Sequence, residues 1–145
     1  MSRFADAPET NVAIFAFLLN LPWELAQVPL FAGMPTARHW TAVLACGRAT
    51  LGDVAIALAG FWAVAAVVGT RRWVLAPTRG RVLGFMAAGV AITIVLERLA
   101  TGPLGRWAYA ERMPIVPLVD VGLSPLLQWV VLPPLVVWFV RRQLT

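Results

Sequence analysis

Four long apolar stretches, separated by shorter polar or arginine-rich segments, make up most of the chain. They cover about residues 11–31, 41–69, 82–100 and 118–140. About 20 predominantly apolar residues cross the hydrocarbon core of a bilayer as a helix, so each stretch is long enough for one span. The pattern therefore predicts an all-α integral membrane protein, folded as one four-helix bundle that occupies the whole chain.

Glycine and proline mark the predicted ends and interruptions of these spans. The run Gly33-Met34-Pro35 should end the first span. The second stretch is longer than a perpendicular crossing, so we expect it to be tilted or to begin with an interfacial turn. Segment 101–117 is rich in glycine and proline and should form an ordered loop or a re-entrant piece. Proline at 133 and 134 predicts an interruption of the fourth span.

The distribution of arginine predicts the topology. The loop 70–81 carries four arginines, and Arg141 and Arg142 lie near the end of the chain. Arginine is enriched on the cytoplasmic side of membrane proteins, so this loop and the C-terminus should be cytoplasmic. Four spans then place the N-terminus on the same side. We expect a multi-pass protein of the bacterial inner membrane.

Composition supports a membrane location and excludes several kinds of chemistry. Of the 145 residues, 60% are hydrophobic and only 13% are charged, whereas soluble domains are about 25% charged. The net charge of +5 is the balance of twelve arginines and seven acidic residues. Arginines are expected at membrane surfaces, so this charge does not indicate nucleic-acid binding. Without lysine, no Schiff base to retinal or pyridoxal phosphate can form. One histidine, His39, and one cysteine, Cys46, do not suffice for a bis-histidine haem or a cysteine-held iron–sulfur cluster.

Polar side chains recur inside the predicted spans at helical spacing, which is where ionisable residues by default mark function. They are Asn20, Glu24 and Gln27 on the first span, Asp53 on the second, Thr93 and Glu97 on the third, and Asp120, Ser124 and Gln128 on the fourth. A rise of about 1.5 Å per residue puts Glu24 about 20 Å and Glu97 about 22 Å from the cytoplasmic ends of their helices. Asp53 and Asp120 follow the outer starts of theirs. The four acids should therefore converge in the outer half of the membrane.

Each of these groups also has a structural interpretation. Glu24 could form an ion pair with Arg48 or Arg98, and Gln27 and Gln128 could hydrogen-bond neighbouring helices together. Asp53 and Asp120 could lie among lipid headgroups. No spacing of histidine and carboxylates suggests a metal site, so we expect neither metal nor cofactor.

Tryptophan is expected both at the membrane surfaces and inside the bundle. We place Trp73 in the inner aromatic belt and Trp107 with Tyr109 in the outer one. Three tryptophans fall in mid-membrane. Trp62 is interpreted as core packing, whereas Trp23 and Trp129 adjoin polar residues and could stabilise a cation formed in an apolar cavity.

Buried carboxylic acids with aromatic neighbours suit proton chemistry on an apolar molecule. In hydrocarbon a carboxylic acid favours its neutral form and can act as a general acid. It can protonate an isolated or conjugated double bond, and ring closure, hydration or double-bond migration can follow. A second carboxylate then takes the proton back, and no cofactor is needed.

A family resemblance involves the third span and the segment that follows it. Glu97 precedes Gly105-Arg106-Trp107-Ala108-Tyr109, and then come Met113-Pro114 and Pro117-Leu118-Val119-Asp120. Residues 97–128 resemble the small membrane lycopene cyclases of the heterodimeric bacterial type and, more loosely, the carotenoid hydratases. Val119 stands where that family has the first of two paired acids. The resemblance implies a cofactor-free enzyme acting on carotenoid ends, with Glu97 and Asp120 as acid–base candidates and Trp107 and Tyr109 at the pocket mouth.

Three functions remain open on the sequence. The first is a cyclase, hydratase or isomerase of an isoprenoid lipid, with catalytic Glu24, Asp53, Glu97 and Asp120. Its substrate would be bound by Asn20, Trp23, Gln27, Trp107, Tyr109, Ser124, Gln128 and Trp129. The second is a proton, cation or metabolite transporter that would work as a homo-oligomer. The third is a non-catalytic subunit of a larger membrane complex, which the glycine-containing segment 47–60 would contact.

Overall fold

Four long helices form the protein in the computed structural model, which describes residues 6–145. They are α1 (Pro8–Gln27), α2 (His39–Val68), α3 (Arg79–Thr101) and α4 (Leu123–Leu144). Each helix is long and apolar enough to cross a membrane, which confirms an all-α, multi-pass four-helix bundle. The helices pack in a ring, because α1 and α3 both contact α2 and α4. Side chains that point into the ring can therefore meet near its centre.

The helix boundaries differ from the predicted spans mainly in the last helix. Before α4, residues Ile115–Val116 (β1) and Val121–Gly122 (β2) pair as a short antiparallel hairpin. Helix α4 therefore begins at Leu123 and not near residue 118. It then continues through Pro133 and Pro134 without interruption, as membrane helices can when neighbouring groups compensate for the missing backbone hydrogen bonds. Helix α2 is also continuous from His39, with no separate interfacial turn.

The segment between α3 and α4 is an ordered loop, one of the two forms predicted for it. It pairs with the segment that links α1 to α2: Ala32 N–H donates to Ala108 O at 2.9 Å and Ala110 N–H donates to Leu30 O at 2.9 Å. The rings of Phe31 and Tyr109 also pack together, with centroids 5.7 Å apart. We call this end of the bundle, formed by residues 31–38 and 102–122, the loop end.

The opposite end, formed by residues 69–81 and 141–145, is the arginine-rich end. A 3₁₀ helix, Arg71–Leu75, folds back under the bundle and buries Trp73 and Val74 completely. The Trp73 indole N–H donates to Phe61 O at 3.1 Å, and its ring packs against the rings of Phe61 and Phe85. Trp73 is thus a buried core residue and not a residue of the inner aromatic belt.

Two other tryptophans show where α2, α3 and α4 are close-packed and where they face outward. Trp129 is 3% exposed and lies directly against Gly89, where a Cβ atom would stand 2.2 Å from the indole ring. Trp62, expected in the core, is instead 47% exposed on the outer face of α2. The hydropathy of a tryptophan in a span does not tell which side of the helix it occupies.

Candidate functional site

One face of α1 carries a row of buried polar side chains. Asn20, Glu24 and Gln27 are spaced at i, i+4 and i+7, which places them on the same side of the helix. Gln27 Nε2 donates to Glu24 Oε1 at 2.7 Å. Asn20 Nδ2 donates to Ala16 O at 2.7 Å, and its Oδ1 remains as an acceptor for another helix. The row therefore presents mainly acceptor oxygens to the bundle interior.

Gln128 of α4 supplies the donor that joins three helices. Its Nε2 lies 2.6 Å from Asn20 Oδ1 on α1 and 2.9 Å from Asp53 Oδ2 on α2. Glu24 Oε1 is also within 3.4 Å of the same nitrogen. An amide nitrogen has two hydrogens, so the two short contacts are the main bonds and Glu24 competes for them.

Glu24 and Asp53 form a carboxyl pair inside the bundle. Gln128 Nε2 lies within 3.4 Å of an oxygen of each carboxyl group, and each residue is only 9% exposed. Throughout residues 6–145 the sole ion pair joins Arg71 to Glu9, at the other end of the chain's fold. Glu24 is therefore not paired with Arg48 or Arg98. Two carboxylates this close together repel each other when no cation separates them, which favours a single proton shared by the pair.

Ser124 of α4 lies next to the carboxyl pair, because its Oγ donates to Gln27 Oε1 at 2.8 Å. Thr93 approaches from α3. It is 5% exposed, and its hydroxyl has no hydrogen-bond partner among the residues that the structure describes. Gly60 of α2 lies against Phe85 of α3. Asp53 lies about two turns before Gly60 on α2, and Thr93 lies about two turns after Phe85 on α3. Because the two helices run antiparallel, both steps lead towards the loop end, so these two side chains lie at a similar height in the bundle.

A second polar group lies where α3 meets the loop end. The Tyr109 hydroxyl and the Trp107 indole N–H both donate to Oε2 of Glu97, the indole at 3.3 Å. Burial raises the pKa of the Tyr109 phenol well above its usual range, and the hydrogen bond to Glu97 raises it further. Tyr109 is therefore a neutral donor over the whole physiological pH range.

The structure brings half of the predicted site residues together at one place. The interior cluster, as we name it from here on, consists of Asn20, Glu24, Gln27, Asp53, Ser124 and Gln128. Glu97 is not hydrogen-bonded to it, and its side-chain partners are Tyr109 and Trp107. Trp107 and Tyr109 belong to the group around Glu97.

Asp120 is separate from both groups. Because α4 begins only at Leu123, Asp120 precedes the helix and does not share a helical face with Ser124 and Gln128, as the predicted span would have it. It is exposed in the turn of the hairpin with φ +54°, and it lines a surface cleft with Arg98 and Thr101. The acid that meets Glu24 inside the bundle is Asp53 alone.

Two tryptophans and one threonine refine this picture. Trp129 packs on Gly89 in the core, while Trp23 is half-buried and its indole N–H has no acceptor within residues 6–145. Thr93 was absent from the predicted site residues. Its spacing of four from Glu97 was the signal for it, since both side chains fall on one face of α3.

In the described part of the chain, no group of three or more His, Cys, Asp or Glu side chains could hold a metal ion. Compared with protein-family models, with curated proteins and with solved structures, the chain matches none of them. Function must therefore be inferred from the side chains themselves.

Proposed function

We propose that this protein is a membrane enzyme that needs no cofactor and protonates a double bond of an isoprenoid or carotenoid-like lipid. The observation that carries the proposal is the Glu24–Asp53 pair, two buried carboxyl groups on either side of Gln128 Nε2 with no cation beside them. Such a pair holds a proton in apolar surroundings, where a double bond is the group of a lipid substrate that can accept it.

The proton transfer divides the pair into an acid and a base. The protonated carboxyl forms a C–H bond with one carbon of the double bond, using the π electrons, and a cation develops on the other carbon. Gln27 Nε2 and Gln128 Nε2 donate to the pair and stabilise the carboxylate that remains. That carboxylate then removes a proton from a neighbouring carbon, or from water that adds to the cation. Loss of a proton directly from this cation gives isomerisation, and loss of a proton after water has added gives hydration. Cyclisation results when a second double bond of the substrate first attacks the cation and forms the ring C–C bond, and the new cation then loses the proton.

Glu97 is proposed to exchange protons between this pair and the loop end. Both of its side-chain donors, Tyr109 and Trp107, converge on Oε2. A proton bound to Glu97 therefore belongs on Oε1. Trp107 is 39% exposed, so this group also adjoins the surface from which a lipid would approach.

The test is mass spectrometry of apolar molecules that copurify in mild detergent. We expect the wild type to retain an isoprenoid in both substrate and product forms, and Glu24→Gln and Asp53→Asn to retain the substrate form alone. Glu111→Gln, which changes an exposed acid of the loop end, is the matched control and should behave as the wild type does. Phospholipid alone in all four proteins, or identical isoprenoids in all four, would contradict the proposal.

A second candidate function is a proton carrier. The order of the acids from the loop end towards the bundle interior favours it. Half-buried Glu97 near the loop end is followed by Glu24 and Asp53 in the interior. Proton flux into liposomes containing the purified protein, lost in Glu24→Gln and kept in Glu111→Gln, would support this function. Absence of flux in the wild type would rule it out.

A further inference from the structure

The arginine-rich end carries a concentrated positive charge. Its exposed arginines are Arg71, Arg72, Arg79, Arg141 and Arg142. The acids that the structure describes near this end are Asp6 and Glu9, and Glu9 is engaged with Arg71 at 2.8 Å. Within residues 6–145 the other arginines of this end have no ion-pair partner. The surface is therefore complementary to anions.

A cleft at this end combines an apolar wall with a polar rim. It is lined by Trp62, Ala65, Ala66, Gly69, Thr70 and Arg71. Trp62 and Ala66 of the wall are exposed on the outer face of α2, whereas Ala65 between them is buried. Because the alanine side chains are small, they leave a groove beside the Trp62 ring. Gly69 ends the helix in the left-handed region with φ +78°, so that the rim follows the wall immediately.

The rim has donors available for a phosphate. The Thr70 hydroxyl oxygen accepts from Arg72 N–H at 3.2 Å, and its hydrogen is left to donate. Arg72 does not line the cleft itself but follows the lining residue Arg71, and its exposed guanidinium has no ion-pair partner in the described residues. Arg71 adds charge that Glu9 offsets in part. Basic groups directly beyond the end of a span are the usual partners of anionic lipid headgroups.

We propose that this cleft binds an anionic phospholipid. One acyl chain lies along Trp62 and the small residues of α2, and the phosphate lies at Thr70 and Arg72. A lipid is the occupant that fits, because the apolar wall is continuous with the membrane-facing side of the helix and the rim lies at headgroup level. None of the residues involved belongs to the interior cluster, so the proposal is independent of the proposed function.

The experiment is native mass spectrometry of the whole protein with added phosphatidylglycerol or phosphatidylcholine of identical acyl chains. For the wild type we expect phosphatidylglycerol to be retained about fivefold more than phosphatidylcholine, the effect of about one arginine near a headgroup. Arg72→Gln should bring the ratio towards one. Trp62→Ala should weaken both lipids alike, since it removes acyl-chain contact only.

Arg112→Gln, an exposed arginine of the loop end, is the control that should keep the wild-type ratio. Equal retention of the two lipids by the wild type would overturn the proposal, as would an unchanged preference in Arg72→Gln. Displacement of phosphatidylglycerol by inorganic phosphate at similar concentration would also overturn it, because the site would then take a free anion and not a lipid.

Discussion

Replacing Gly89 with alanine tests the packing that positions the site. The added Cβ atom would stand 2.2 Å from Trp129 Cε3, and two more ring atoms would lie at 2.7 and 3.0 Å. Carbon atoms pack at about 3.5–4.0 Å, so the indole must move by more than about 1 Å. Trp129 is 3% exposed and belongs to the hydrophobic core, so its displacement would disturb the side chains packed around it.

The size of the effect follows from two opposing contributions. Overpacking a core costs about 1–3 kcal/mol, and the rigid ring puts this site at the upper end of that range. Alanine in place of glycine returns up to about 1 kcal/mol of helix propensity. We expect Gly89→Ala to lower the free energy of unfolding by about 2 kcal/mol.

Gly84→Ala in the same helix is the matched control. Its Cβ atom would lie 3.6 Å from Val64 Cγ2, an ordinary contact, so only the gain in propensity remains. Both variants can be unfolded by titrating a denaturing detergent into mixed micelles while helicity is followed by circular dichroism. Equal stabilities of the two variants would refute the packing of α3 on Trp129 and, with it, the position of Gln128 beside it.

Three further predictions concern the polar groups. Tyr109 is the only tyrosine of the chain, and its raised pKa predicts that tyrosinate absorbance develops at a pH well above the usual tyrosine pKa of about 10. The midpoint of this titration should be lower in Glu97→Gln. A wild-type midpoint near pH 10 would contradict the Tyr109–Glu97 bond. Because the folded-state pKa is the higher one, the stabilisation from Tyr109 is complete below about pH 10 and disappears as the pH rises through the folded value. Gln128→Leu leaves two buried acceptors without a donor and should destabilise the bundle by about 2–4 kcal/mol in the same detergent titration; wild-type stability would argue against the cluster. Thr93→Val removes a buried hydroxyl that has no protein partner and should leave stability equal or raise it by about 1 kcal/mol, whereas a clear loss would reveal a bound partner such as water.

The number and kind of the helices could be predicted because each span is a single long apolar run. The start of α4 could not, because residues 115–123 are nearly as apolar as the helix that follows. What separates them is the pairing of Val116 with Val121 in the hairpin, which local hydropathy does not contain. This one boundary decided that Asp120 lies at the surface and outside the site.

The interior cluster could be predicted in part from helical spacing and depth. Spacing put Glu24 and Gln27 on one face, and the distance from the helix ends put Glu24 and Asp53 at similar depth. Which acid meets Glu24 depends on the order of helices around the ring, and no local pattern encodes it. The same holds for Trp73, whose burial results from a turn of chain folding back against Phe61.

Because Trp73 is buried at the arginine-rich end, opening that end would require a larger rearrangement than opening the loop end. To let a proton leave through that end, the protein would have to withdraw a fully buried Trp73 from between two phenylalanine rings and break its bond to Phe61 in every cycle. At the loop end, release of two side-chain hydrogen bonds, from Tyr109 and Trp107, would free Glu97. A reaction that takes up and returns its proton on one side demands far less rearrangement than passage from one side to the other.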